Sequence, residues 1–231
     1  MQVSNTDTAS QGRLLRLAEE PYLSIEGEGI HIGKPMTFIR LAECNLRCKW
    51  CDTKFSWSKG VEWSHKAILD RVKKLSCVNV SITGGEPLLQ AAELQILLDQ
   101  LVSRITYLNT SGTVWSAPVF DKVDWINCDL KMPSSQMKSD LTVVHRLAET
   151  YPEKLQFKIV VSPEDIPHLL KTVKEIPLSI PITIQPEYNS YGAEGAVDLS
   201  EWVKTHLQNH INIRVLPQLH RLIWPSRDRG V

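Results

Sequence analysis

The chain has 231 residues, 42% hydrophobic and 23% charged, a composition ordinary for a globular protein. Lys plus Arg and Asp plus Glu both number 26, which argues against a nucleic-acid binder with its basic face. No apolar run approaches the roughly 18 residues of a membrane span. Five cysteines, an odd number and mostly clustered, do not make a disulfide framework. A cytoplasmic, reducing setting is expected, with no membrane and no nucleic-acid partner.

In chain order, the N-terminal "MQVSNTDTASQGR" lacks the apolar core of a signal peptide. It reads as a polar leader over residues 1–18, ahead of a single domain over 19–231. Met36–Ala42 reads as a strand and His65–Leu75 as a helix with Ser64 as its cap. Val78–Thr83 is β-branched and strand-like, and Pro87–Ile105 has helical spacing with proline at its start. Strands follow at 106–110 and Val123–Leu130, a helix at Ser139–Tyr151, a strand at Leu155–Val161 and a capped helix at Ser162–Ile176. Ile180–Pro186 is a strand, Asp198–His210 a helix and Ile211–Pro217 a last strand.

Alternation of strands and helices predicts an α/β fold with parallel strands and helices outside. Six or so units are too few for a full eight-fold barrel, so an incomplete (βα)6-type barrel or an open doubly wound sheet is expected. In both, ligands gather at the C-terminal ends of the strands. Four polar or glycine-rich stretches fall there: the cysteine loop, "TGGEP", "NTSGT" and "QPEYN".

The cysteine loop is "CNLRCKWCDTKFSW", with Cys44, Cys48 and Cys51 spaced C-x3-C-x2-C. Structural zinc wants four nitrogen or sulfur ligands; Cys77 and Cys128 are the candidates for a fourth, yet they lie before and inside strands, where a lone cysteine is a small apolar filler. A 4Fe–4S cluster takes one thiolate per iron. Three thiolates leave one iron open, and an open position is what a catalytic metal keeps.

This loop after a strand, with Trp50 before its last cysteine and Gly84-Gly85-Glu86-Pro87 further on, resembles the radical S-adenosylmethionine superfamily. The resemblance implies a partial barrel in which Cys44, Cys48 and Cys51 bind three irons and the amino and carboxylate groups of S-adenosylmethionine bind the fourth. Within the superfamily, "SIEGEGIHIGKPMTFIRLAECNLRCKWCDT" is similar to the 7-carboxy-7-deazaguanine synthases: an E-G-E-G stretch, an arginine on the strand at Arg40, and Asp52-Thr53 after the cysteines. Asn109–Thr113, Lys131–Met137 and the ending "RVLPQLHRLIWPSRDRGV" match further words of that family, so the resemblance spans residues 20–231. The chain departs from it where Asp129-Leu130-Lys131 stands for the usual S-P-K and Asn109-Thr110 for the usual E-T.

The resemblance implies a reaction and a site. The 6-carboxy-5,6,7,8-tetrahydropterin ring contracts to 7-carboxy-7-deazaguanine with loss of ammonia, on the path to queuosine. Reductive cleavage of S-adenosylmethionine gives a 5′-deoxyadenosyl radical that takes hydrogen from substrate C6. The cofactor is expected at Trp50, Cys51, Asp52, Gly85, Glu86, Asp129, Leu130, Lys131, Gln185, Pro186, Glu187 and Tyr188, and Mg2+ at Thr53. Substrate is expected at Ile25, Glu26, Gly27, Arg40, Thr83 and the terminal carboxylate of Val231. A flavodoxin- or ferredoxin-type reductant and a homodimer are implied as well. His220, a lone histidine, reads as structural before it reads as catalytic.

Rival readings have distinct signatures. A glycyl-radical activase of the same superfamily would take a protein partner instead of a pterin. A zinc-stabilised binding module would carry zinc and no sulfide. A redox-sensing thiol protein would show reactive cysteines without inorganic sulfide.

Overall fold

The computed structural model describes residues 14–192, 194–227, 229 and 230. Strands β1 (Leu14–Leu17) and β2 (Tyr22–Ile25) both pair antiparallel with β3 (Pro35–Leu41), and β4 (Val61–Ser64) pairs antiparallel with β1 at one edge. A repeating pattern follows. Helix α1 (His65–Leu75) leads to β5 (Asn79–Gly84), α2 (Ala91–Leu98) to β6 (Ile105–Thr110), and α3 (Ala117–Phe120) to β7 (Trp125–Leu130). Next, α4 (Leu141–Thr150) leads to β8 (Leu155–Val161), α5 (Ile166–Lys174) to β9 (Ile182–Pro186), and α6 (Tyr188–Tyr191) with α7 (Gly195–His206) to β10 (Ile213–Val215); α8 (Leu219–Ile223) comes after.

Strand β3 and strands β5 to β10 are parallel and lie side by side in chain order. A doubly wound sheet reverses its order at a switch point. No reversal occurs here, so the fold is the incomplete barrel, open between the β4 and β10 edges. Its crossover between β6 and β7 is trimmed to the four residues of α3.

The two faces of this sheet divide the labour, because successive strand residues point to opposite sides. Ile39, Leu41, Val80, Ile82, Leu108, Ile126, Phe157, Ile159, Ile182 and Ile184 meet Ile68, Val72, Leu94, Leu97, Val144, Leu147, Leu169 and Val173 of the helices in one core. Their strand neighbours on the concave side are polar: Arg40, Thr83, Asn109, Asn127, Asp129 and Lys158 all line a cavity.

Local signals account for most elements. Ser64 caps α1 as expected, its side chain accepting the Ala67 amide at 3.2 Å. The turn before α5 carries a capping box between Ser162 and Asp165. Two expectations change. The leader yields to structure at Leu14: Leu15 and Leu17 of β1 are 0% and 1% exposed and belong to the main core. Residues 1–13 lie outside the described residues. The helix expected over Pro87–Ile105 begins as a 3-10 turn and stops at Leu98. Leucine spacing carried the helical period through Leu101, but the Ile105 amide donates to the Val78 carbonyl at 2.9 Å and Ile105 pairs with Asn79 as the start of β6.

Candidate active site

The cysteine loop leaves β3 through Glu43, whose φ of 69° turns the chain sharply. Backbone from the β5 turn fixes it there: the Gly85 amide donates to Leu41 O at 3.0 Å and the Glu86 amide to Glu43 O at 2.8 Å. A Cβ on Gly84 would stand 2.0 Å from Leu41 O, and one on Gly85 2.0 Å from Glu43 O. These glycines therefore allow backbone to meet backbone, a closer constraint than approach to a ligand alone. The other side of the loop is held by the segment after β7. Lys49 N donates to Ser135 O at 3.0 Å, Trp50 Nε1 to Ser134 Oγ at 2.9 Å, and Arg47 N to Met137 Sδ at 3.3 Å.

Cys44, Cys48 and Cys51 all face the same cavity. The Leu46 amide donates to Cys44 Sγ at 3.4 Å, and burial raises the pKa of the Cys44 and Cys48 thiols. Cys128 is fully buried in the core, and the Cys77 thiol donates to Pro35 O at 3.2 Å. Neither of them lines the cavity with the other three. Among the described residues, no three His, Cys, Asp or Glu side chains converge to hold a single metal ion. The three thiols share one wall of the cavity, apart from Cys77 and Cys128.

The floor of the cavity is a chain of buried charges. Lys158 of β8 pairs with Glu28 and, at 3.0 Å, with Asp129; Asp129 also pairs with Lys131 at 3.1 Å. Gln218 donates to Glu28 at 2.7 Å, and the Lys131 ammonium sits 5.4 Å from the Trp50 ring centre. Burial alone would lower the pKa of Lys158, but Asp129 and Glu28 overcome it and hold the ammonium charged. Asp129 is raised by burial and lowered further by Lys131 and Lys158, so it stays ionised. Beside this chain, Asn127 donates to Asn109 at 2.6 Å and Asn109 to Ser81 at 3.0 Å.

Of the residues expected at the site, Ile25, Glu26, Gly27, Arg40, Trp50, Asp52, Thr53, Thr83, Gly85, Asp129, Lys131 and Glu187 line the cavity with the cysteines. Arg40 is held from behind, Nε donating to Glu19 and Nη2 to the Tyr22 hydroxyl, both at 2.7 Å. Thr53 Oγ1 lies 3.6 Å from Cys51 Sγ. Other expected residues sit differently. Leu130 points into the core, 2% exposed. Glu86 is fully buried, its carboxylate accepting from Leu88 N, Thr110 Oγ1, Ser111 N and Ser111 Oγ. Gln185 and Pro186 are buried at the end of β9, Gln185 Nε2 donating to Pro217 O at 3.1 Å, and Tyr188 N donates to Gln218 Oε1 at 3.1 Å. Val231 lies outside the described residues. His220, read as structural, also lines the cavity: its Nε2 is 3.4 Å from Asp52 Oδ2, and its ring packs over Gly27, where a Cβ would come within 2.2 Å of Nδ1. Glu28 and Lys158 were missed, although a lysine amid "LQFKIVV" falls by two-residue period on the face opposite Phe157 and Ile159.

Residues 39–185 match the Radical SAM superfamily. The chain is 31% identical to the 7-carboxy-7-deazaguanine synthase of Clostridium acetobutylicum, over 92% of this chain and 97% of that one. It is 33% identical to the synthase of Chlorobaculum tepidum, over 92% and 96%. The chain belongs to the 7-carboxy-7-deazaguanine synthases of the radical SAM superfamily. The solved structure of QueE from Escherichia coli shares its fold, with a TM-score of 0.68 and 23% identity over 94% of this chain and all of that one. Radical SAM synthases of this family use a 4Fe–4S cluster, S-adenosylmethionine and Mg2+. The site fits the first two: three thiols on one wall, and on the floor Asn127 Oδ1, buried and accepting no hydrogen bond. The Thr53 hydroxyl, expected to hold Mg2+, lines the same cavity and is an oxygen of the kind that ion prefers.

Proposed function

We propose that the chain contracts 6-carboxy-5,6,7,8-tetrahydropterin to 7-carboxy-7-deazaguanine, releasing ammonia, in queuosine biosynthesis. The observation that carries this reading is the union, in one cavity, of three cysteine thiols with a buried floor of fixed charges. Synthase-named relatives matching nearly the whole chain support it and do not favour a glycyl-radical activase.

When bound, the cluster and S-adenosylmethionine supply a 5′-deoxyadenosyl radical. The chain's own residues do the rest. Cys44, Cys48 and Cys51 are the thiolate ligands. Trp50 to Asp52, Gly85, Asp129, Lys131 and Glu187 flank the cofactor, and Glu86 acts through the Thr110-Ser111 turn that it grips. Arg40, preset by Glu19 and Tyr22, offers its remaining N–H groups to the substrate carboxylate as a planar fork. Glu26, Ile25, Gly27 and Thr83 line the pterin. Thr53 holds Mg2+. Lys158, fixed between Asp129 and Glu28, sets the charge of the floor before substrate arrives. A single domain, a homodimer, a cytoplasmic setting and a flavodoxin- or ferredoxin-type reductant belong to the same reading.

The test is anaerobic turnover of the reconstituted protein with S-adenosylmethionine, dithionite, Mg2+ and the carboxytetrahydropterin, followed by mass spectrometry. The expected product is 7-carboxy-7-deazaguanine, abolished in Cys48→Ala. Release of 5′-deoxyadenosine with no deazapurine would keep the radical chemistry and overturn the substrate.

A further inference from the structure

Behind the floor of the main cavity lies a second, much smaller one, and Glu26, Glu28, Asn109 and Asn127 line both. Its far side includes His31, packed edge-on against Tyr107 and Trp125 with ring centres 4.9 and 4.6 Å away. The 3-10 turn Gly29–His31 is tied to β8, the Ile30 amide donating to Gln156 Oε1 at 2.8 Å. The volume, about 10 Å3, holds one water-sized molecule. Two of the lining residues carry a buried polar atom without a hydrogen bond, His31 Nε2 and Asn127 Oδ1. Both residues are 8% exposed. Burial, then the charge of Lys34, lowers the His31 pKa to about 4. Its imidazole is therefore neutral at pH 7 and accepts through Nε2 as the Nδ1-protonated tautomer.

The charges around this cavity do not balance. Lys158 pairs with Glu28 and Asp129, and Lys131 with Asp129. Arg40 is answered by Glu19, and His220 by Asp52. Glu26 is left over. It is 8% exposed, is in no ion pair among the described residues, and its carboxylate accepts only the Glu28 amide, at 3.3 Å. A buried carboxylate without a counter-ion is costly. The cavity thus offers a place for one small cation, and its unpartnered atoms select one that bears N–H groups. Resting on the proposed function, in which the substrate loses a nitrogen as ammonia, we propose that this rear cavity binds the leaving group as an ammonium ion, the form ammonia takes at neutral pH. Glu26, Glu28, Asn127 Oδ1 and His31 Nε2 offer acceptors to an ion with four N–H groups. An imidazole nitrogen accepts an N–H, whereas hard alkali cations prefer oxygen. The ion arrives with its C–N bond already broken, across the wall that Glu26 and Asn127 share between the two cavities. It forms no covalent bond there.

The test follows thermal unfolding of the reconstituted protein at pH 8 in ammonium, potassium, methylammonium and sodium chloride at one ionic strength. Wild type is compared with His31→Phe, which keeps a ring against Tyr107 and Trp125 and removes Nε2. Ammonium should raise the wild-type melting temperature by about 3 °C over sodium. Potassium should not, nor should methylammonium, which is too large for a cavity of one water-sized molecule, and His31→Phe should lose the gain. In dithionite-driven turnover, ammonium chloride should slow wild type relative to sodium chloride and leave His31→Phe near its rate in sodium. An equal gain with potassium would overturn the proposal in favour of an alkali-ion site. No gain with any salt would overturn it in favour of a buried water. A gain that methylammonium matches, or that survives in His31→Phe, would place the effect elsewhere on the molecule. Should His31→Phe fail to fold, the methylammonium comparison on wild type decides alone. A gain without inhibition would overturn the leaving-group role. Absence of deazapurine from wild type in sodium chloride would strike the proposed function, while the melting temperatures would still decide whether the cavity binds ammonium.

Discussion

Glu26 shows what burial does to one residue of the site. It is 8% exposed; burial, then the charge of nearby Glu28, raises its pKa to about 7, against the opposing pull of Lys158. An acid whose folded pKa lies above its unfolded value binds more protons in the folded state between the two. Stability contributed here therefore falls as pH climbs from about 4.5 to about 7, by about 3 kcal/mol at most. Glu26→Gln should gain stability relative to wild type at pH 8 and not at pH 5 in urea titrations; an equal difference at both values would contradict the assignment. Glu86 is likewise raised by burial, but its carboxylate also accepts from four donors that oppose the shift. Glu86→Ala strands Ser111 and Thr110 donors and should cost about 3 kcal/mol of unfolding free energy. A loss below about 1 kcal/mol would return Glu86 to the role of a ligand group only. Gly85→Ala meets backbone, not a movable side chain, and should lower the melting temperature by several degrees on thermal unfolding, about 1–3 kcal/mol. An unchanged melting temperature would mean that the turn has room.

Among elements, legibility followed the range of the interaction. Helix α1 was readable because its cap, Ser64, and its apolar spacing lie within the element. Strand β8 was readable as a strand from its β-branched run. Strands β1 and β4 were not, since each is four residues long and is defined by pairing with strands distant in sequence, Leu14 opposite Ser64 and Leu17 opposite both Val61 and Leu41. The clamp on the cysteine loop was hidden for the same reason: "KMPSSQM" read as a family word, and only the fold brings Ser134 and Ser135 to Trp50 and Lys49. Leu15→Ala should therefore destabilise the chain by about 2–5 kcal/mol in denaturant titration, as for a core leucine, where a frayed leader would lose nothing measurable.

For the whole molecule, sequential parallel order gives one apolar face to the helices and turns the other inward as a polar wall. Period-two reading of each strand predicts that division once the order is known, and Lys158 on β8 could have been placed by it. What the sequence could not yield is the order itself, which left a doubly wound sheet equally open, or the link from Glu28 through Lys158 to Asp129, whose members come from distant parts of the chain. The cysteines were legible throughout, because their spacing alone makes them share a wall.

This wall of thiols is built for a cluster and not for a single ion. Iron, zinc and acid-labile sulfide should be measured on protein purified anaerobically and reconstituted, for wild type and Cys48→Ala. About four irons and four sulfides per chain in wild type, sharply reduced in the variant, is the result predicted. One zinc per chain without sulfide would contradict it.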